Sequence, residues 1–171
     1  IPSFAVVSAE MNLPQSPLQS RSYVPPNVML MMDNSGSMRD NPAGGSSEPT
    51  KMTIAKQVAV AVIEANPDIR FCLTKFNHSQ GGQVVDECAL PVIASGQTQS
   101  PIVQNINGLS PTTWTPLAET YYEVIRYFAG KPRAYAGSSS HTSPIQYRCQ
   151  KNFTIVLTDG EPTKESSYPD L

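Results

Sequence analysis

The sequence predicts an open, mostly parallel α/β sheet with helices on both faces. Three observations carry that expectation. Asn27 to Asp33 (NVMLMMD) and Phe153 to Thr158 (FTIVLT) are short, continuous apolar runs, the pattern of strands buried on both faces, and each leads into an aspartate. Between them the order is helix, hairpin, helix, with no internal repeat. The 171 residues suffice for one domain with a core but are too few for two ordinary ones.

Taken in order, residues 1–26 carry Pro14, Pro17, Pro25 and Pro26, which prevent helix and central strand alike, so an extended lead-in should precede a domain over 27–171. A loop rich in Gly, Ser and Pro (34–50) follows the first strand. Ile54, Val58, Val62 and Ala65 then recur at helical spacing and should form the apolar face of a helix that stops before Pro67. Arg70 to Phe76 and Gln83 to Leu90 read as antiparallel strands around a glycine turn at 78–82.

Cys72 and Cys88 sit eight residues either side of Gln80. A symmetric hairpin places them opposite each other, where Cα atoms about 4.5 Å apart permit a disulfide and Cys149 is left to a partner outside the chain. A bulge would shift that register, and Cys149 would then compete as a partner.

Pro101 to Ile106 should make one or two helical turns. Thr115 as N-cap, Pro116 at the first position and Gly130 as the stop define a stronger helix through Phe128, with Leu117, Tyr121, Val124, Ile125 and Phe128 on its apolar face. A polar, Ser-rich loop (130–150) leads to the last strand. His78 and His141 have no neighbours at metal-ligand spacing and read as exposed bystanders; Trp114 reads as a packing residue.

Composition excludes several functions. Twelve Lys and Arg against 14 Asp and Glu give a charge of -2, no footprint for nucleic acid or an anionic membrane. The longest apolar stretch, Val58 to Ile63, is far short of the ~20 residues of a spanning helix. A charged fraction of only 15% with 16 prolines suits a secreted surface protein, and Ser3-Phe4-Ala5 and Val7-Ser8-Ala9 have the small-x-Ala form of a signal-peptidase site. Three cysteines without C-x-x-C encode neither a zinc site nor a redox pair.

The chemistry concentrates in Asp33-Asn34-Ser35-Gly36-Ser37-Met38. One carboxylate and two hydroxyls alternate in a tight loop directly after a strand, and ligands of open α/β sheets bind at the carboxyl ends of the strands. Asp159 should project at the same end, with Thr115 near it. Oxygen-only donors suit a hard divalent cation, Mg²⁺ first, with Mn²⁺ or Ca²⁺ able to substitute. An enzyme reads less well. A phosphatase that uses the first Asp as nucleophile needs a second acid where Ser35 stands, and no G-x-S-x-G elbow surrounds either serine.

DNSGSM after an apolar strand, then WTPL with Thr115, then LTDGEP with Asp159 resembles the von Willebrand factor A domain and its metal-ion-dependent adhesion site over residues 27 to about 164. Thr113 stands where that family usually has Gly. The resemblance implies a Rossmann-like sheet, metal ligation by Ser35, Ser37 and Thr115, carboxylates from Asp33 and Asp159 directly or through water, and a last position for a partner's Asp or Glu. It also implies about two further strands and helices after Asp159, which would leave the sheet here incomplete at its carboxyl end, with an apolar edge. Upstream, Asn12-Leu13-Pro14-Gln15-Ser16-Pro17-Leu18 and Pro25-Pro26-Asn27-Val28-Met29-Leu30 resemble the amino end of PilY-type adhesins and biogenesis factors of the type IV pilus tip. That likeness implies a secreted, non-enzymatic adhesion module at the bacterial surface or outer membrane. Its partners would be minor pilins, the rest of its own polypeptide and a host-surface or protein carboxylate. The competing reading is an intracellular scaffold of the same domain type serving an ATPase.

Overall fold

The computed structural model describes residues 23–45, 48–78, 81–135, 139–160 and 162–163. The lead-in motif, the small-x-Ala tripeptides and Gln80 lie outside the described residues. Along the chain run β1 (Asn27–Met32), a single 3-10 turn (Gly36–Arg39), α1 (Lys51–Ala65), β2 (Arg70–Phe76), β3 (Gly82–Ala89), α2 (Pro101–Gly108), α3 (Leu117–Phe128) and β4 (Asn152–Leu157). The sheet order is β3-β2-β1-β4. β1 pairs in parallel with β2 and β4, and β2 pairs antiparallel with β3.

All six residues of β1 are buried, because this central strand has a layer on either side. Val28, Leu30 and Met32 pack with Met52, Ala59 and Ile63 of α1 and with Ile102, Val103 and Ile106 of α2. The alternate residues Met29 and Met31 meet Val124 and Tyr127 of α3 across Cys72 and Phe76. The two-residue period of a strand thus requires β1 to be apolar throughout. Helices on both faces of a mostly parallel sheet match the expected α/β class.

The first long helix turns a different face inward from the one its spacing suggested, and the second departs from it only in part. In α1 the buried residues are Met52, Ala59 and Ile63, whereas Ile54, Val58 and Val62 are exposed. The helix is apolar on two adjacent stripes, and the inward one carries Met52, Ala59 and Ile63 with Ala55 packed beside them. In α3 Val124 is buried and Leu117 and Phe128 pack against the core as the spacing suggested, but Tyr121 and Ile125 are about half exposed, and Glu119, Thr120, Glu123 and Tyr127 are buried beside Val124. This polar face is buried because its groups are paired. Gly81 N donates to Glu119 Oε2 at 2.8 Å, Ala134 N to Glu123 Oε2 at 2.8 Å and Cys88 N to the Tyr127 hydroxyl at 2.9 Å. Glu123 Oε1 lies 2.6 Å from His141 Nε2, so His141 is a buried clasp rather than an exposed bystander. His78 is exposed as expected.

Pro116, with φ -77° and ψ 71°, is the N-cap of α3, so Thr115 lies one residue before the cap rather than at it. The contact of α3 with the hairpin is also close. A Cβ on Gly82 would lie 2.5 Å from Thr120 Cγ2 and 3.0 Å from Thr120 Cα.

The hairpin forms, and so does the Cys72–Cys88 disulfide, with Cα atoms 4.2 Å apart. Its register is not simply symmetric about Gln80. Near the turn Phe76 faces Gly82 and Lys75 faces Gln83; two register shifts between Phe71 and Thr74 then bring Phe71 opposite Ala89. The cysteines are aligned by those irregularities. Cys149 is free and exposed.

β4 departs from the fully buried strand expected of FTIVLT. It pairs with β1 at the sheet margin, and Phe153, Ile155 and Val156 are exposed. A groove of about 340 Å³ runs between it and the outer stripe of α1, lined by Ile54, Val58, Val156 and Leu157, with Lys51 and Asp159 at one end.

Candidate functional site

Parallel pairing of β1 with β4, Met32 opposite Leu157, makes both strands leave the sheet side by side. Asp33 N donates to Leu157 O at 2.8 Å, so the first aspartate is fixed against the end of β4. The Asp33 carboxylate is fully buried: Oδ1 accepts from Ser35 N at 2.7 Å and Oδ2 from the Thr158 hydroxyl at 2.7 Å. The chain of bonds continues outward. Ser35 Oγ is 3.0 Å from Ser37 Oγ, Ser37 Oγ donates to Asp159 Oδ1 at 2.8 Å, and Lys51 Nζ contacts Asp159 Oδ2 at 2.5 Å.

Asp33, Ser35, Ser37 and Asp159 are therefore joined as the sequence suggested. Thr113, two residues before Thr115, is tied to the same loop by backbone bonds, while Thr115 itself bonds to Thr163. Gly36 N donates to Thr113 O at 3.0 Å, Thr113 N to Asn34 O at 3.1 Å, and Thr163 N to Thr115 O at 2.9 Å. Asn34 ties this corner to the next strand by accepting from Phe76 N at 2.9 Å. Trp114, between the two threonines, is about half exposed. Beside Asn34 and Thr113 opens a polar cleft of about 300 Å³ that also takes in Lys75, His78 and Asn105.

Sequence reasoning passed over Lys51 and Thr158. Lys51 is the first residue of a helix capped by Thr50, a position where acids are favoured and a cation is not; that misplacement was the available signal. Burial alone would raise the Asp159 carboxyl, but Lys51 and the Ser37 hydroxyl outweigh it and hold the group below the usual carboxylate range. The bond to Asp159 raises Lys51 against a smaller opposing effect of burial, with Asp40 and Asp33 adding to the rise.

Asp159 with its lowered value stabilises the fold above the ordinary carboxylate pKa of about 4, and that contribution is lost as pH falls through the folded value. Asp159→Asn should thus flatten the acid limb of stability against pH. Thermal midpoints of both proteins between neutral pH and about pH 3 check this; parallel acid limbs would contradict it.

Beside the Lys51 ammonium, the cluster consists of two carboxylates and the hydroxyls of Ser35, Ser37 and Thr158, oxygens chemically suited to a hard cation. Among the described residues no group of three or more His, Cys, Asp and Glu side chains is placed to hold a metal ion. No family model matches the chain, and no curated protein matches it. Among solved structures it is similar to a point variant of the PilB minor pilin from Streptococcus sanguinis. That likeness has a TM-score of 0.59 at 16% identity and covers 83% of this chain. The chain spans about a third of that structure, 31% of its length. At this identity the likeness is one of fold.

These findings overturn the resemblance drawn from the sequence, to a von Willebrand factor A domain with a metal-ion-dependent adhesion site and to the PilY-type proteins. What is matched is a minor pilin, and no family model supports the motif pattern. The physical reason lies in the loop. DNSGSM is satisfied locally, as a turn in which Asp33 accepts from Ser35 N and the two serine hydroxyls meet, which short Asp and Ser sequences do in many folds. Asp33 itself is wholly buried. Removing its carboxylate would strip the Ser35 amide and the Thr158 hydroxyl of their acceptor.

Proposed function

We propose that the chain is a non-enzymatic binding module of a secreted, pilus-associated surface protein, taking a carboxylate of a protein or host-surface ligand through a divalent cation. The observation that carries this reading is the line of oxygen donors at the ends of β1 and β4, terminating on a carboxylate that already holds a cationic side chain. Ser35, Ser37 and Thr115 would offer hydroxyls, and Asp159 a carboxylate. Asp33, both of whose oxygens are engaged, would act through its charge or through water. A bound Mg²⁺, or Mn²⁺ or Ca²⁺ in its place, supplies the Lewis-acidic position for the partner's carboxylate. Two carboxylates balance one divalent charge, while neutral hydroxyls leave its pull on an incoming acid intact. The polar cleft beside Thr113 and the exposed Trp114 give the rest of that ligand a surface to lie on.

Location on a pilus draws support from the fold shared with part of a protein described as a minor pilin, and minor pilins and other parts of the same polypeptide are the proposed assembly partners. The Cys72–Cys88 disulfide favours an oxidising compartment over an intracellular scaffold. No helix among the described residues is long and apolar enough to cross a membrane. A phosphatase reading is weakened because the position of its second acid is Ser35, whose hydroxyl is bonded to Ser37.

Calorimetric titration with Mg²⁺, Mn²⁺ and Ca²⁺ tests the proposal. Saturable heat is expected from the wild type and its loss from Asp33→Asn, which keeps the shape of the buried side chain. Absence of heat with all three ions would reduce the loop to an ordinary turn.

A further inference from the structure

We propose that Lys51 is a built-in counter-ion that occupies the Asp159 end of the site and must be displaced when a divalent cation enters. This rests on the cation reading above and adds a regulatory element to it. Both oxygens of Asp159 are taken, Oδ1 by Ser37 and Oδ2 by Lys51, so an incoming ion cannot use Oδ2 while the ammonium stays. The position of the lysine points the same way. It opens α1, where the amide dipoles disfavour a positive charge, and no acid occupies the first turn of that helix. What holds it there is the group of carboxylates ahead of it, Asp159 in contact and Asp40 and Asp33 at longer range.

The exchange is geometrically open. The Lys51 side chain is about one-third exposed, at 30%, and its stem lies at the end of the groove beside Ile54 and Val156, so the head can move into water while the methylenes keep their contacts. A strongly buried partner would not have that freedom. In the absence of a divalent ion the same contact ties the end of β4 to the start of α1, keeping the donors close together. Entry of a divalent ion would then release Lys51 toward the groove, so occupancy at the loop changes the charge at the mouth of an apolar surface.

Two measurements on the full chain test this. In calorimetric titration with Mg²⁺, Lys51→Met should bind roughly tenfold more tightly than wild type, while Lys51→Arg, which keeps the charge, should stay within about twofold. Separately, the rate at which acetic anhydride modifies Lys51, read by peptide mass spectrometry, should rise with Mg²⁺ in the wild type relative to Lys56, whose Nζ bonds to Asn107 O away from the site. Equal Mg²⁺ affinities for wild type and Lys51→Met, with Lys51 reactivity unchanged by the ion, would overturn the counter-ion role and leave the cation reading standing. Absence of Mg²⁺ binding in all three proteins would overturn the cation reading and this inference with it.

Discussion

Glu123→Ala should lower the free energy of unfolding by about 3–5 kcal/mol, the range seen when one partner of a buried pair is removed. Glu123 is fully buried on α3 and serves two groups at once, His141 through Oε1 and the Ala134 amide through Oε2. Truncation leaves an imidazole nitrogen and a backbone amide without an acceptor in a site closed to water, and opens a cavity against Tyr127, whose ring meets His141 edge-on at 5.4 Å. Glu123→Gln keeps the volume and one acceptor, and should cost less, about 1–2 kcal/mol. Urea unfolding of the two variants separates the explanations. Equal losses would mean that the lost charge dominates, and a loss below about 1 kcal/mol for the alanine variant would mean that Glu123 holds nothing together.

Gly82→Ala should cost about 2–3 kcal/mol, because the added methyl would meet a helix backbone. The Thr120 methyl, 2.5 Å from the ideal Cβ, can be removed; the Thr120 Cα at 3.0 Å can only shift with α3. A double-mutant cycle with Thr120→Ser checks this. Serine deletes the methyl and retains the hydroxyl bond to Pro116 O at 2.7 Å, so it should recover part of the loss and not all of it. Complete recovery would place the whole conflict in the methyl group.

The sheet was legible because its signals are local and agree. Two apolar runs flanked a hairpin whose cysteines report their own register, and parallel strands ending in Asp33 and Asp159 had to deliver both acids to one end. Helix faces were less legible. Hydrophobic spacing found Leu117, Val124 and Phe128 of α3, yet α1 turns in Met52, Ala59 and Ile63 and α3 also turns in Glu119 and Glu123, which become core groups only through the Gly81 and Ala134 amides and His141, distant partners that no periodicity displays. Within the candidate site, the serines and aspartates could be placed from the strand ends. Lys51 could not, because its side chain comes from the start of a helix and its pairing depends on how the loop over 34–50 returns. Family membership was read from three short motifs, and these specify turn chemistry more than ancestry.

Adjacent parallel strands have a mechanical consequence. The chain enters β1 at Asn27 and leaves β4 after Leu157, and these points lie at opposite ends of two strands whose six residue pairs run in register. Tension applied between Pro26 and Thr158 would pull β1 and β4 past each other along their length. All the ladder bonds between them would then bear load together instead of opening one at a time from an end, so this path through the molecule resists stretching far better than separation of the same strands sideways.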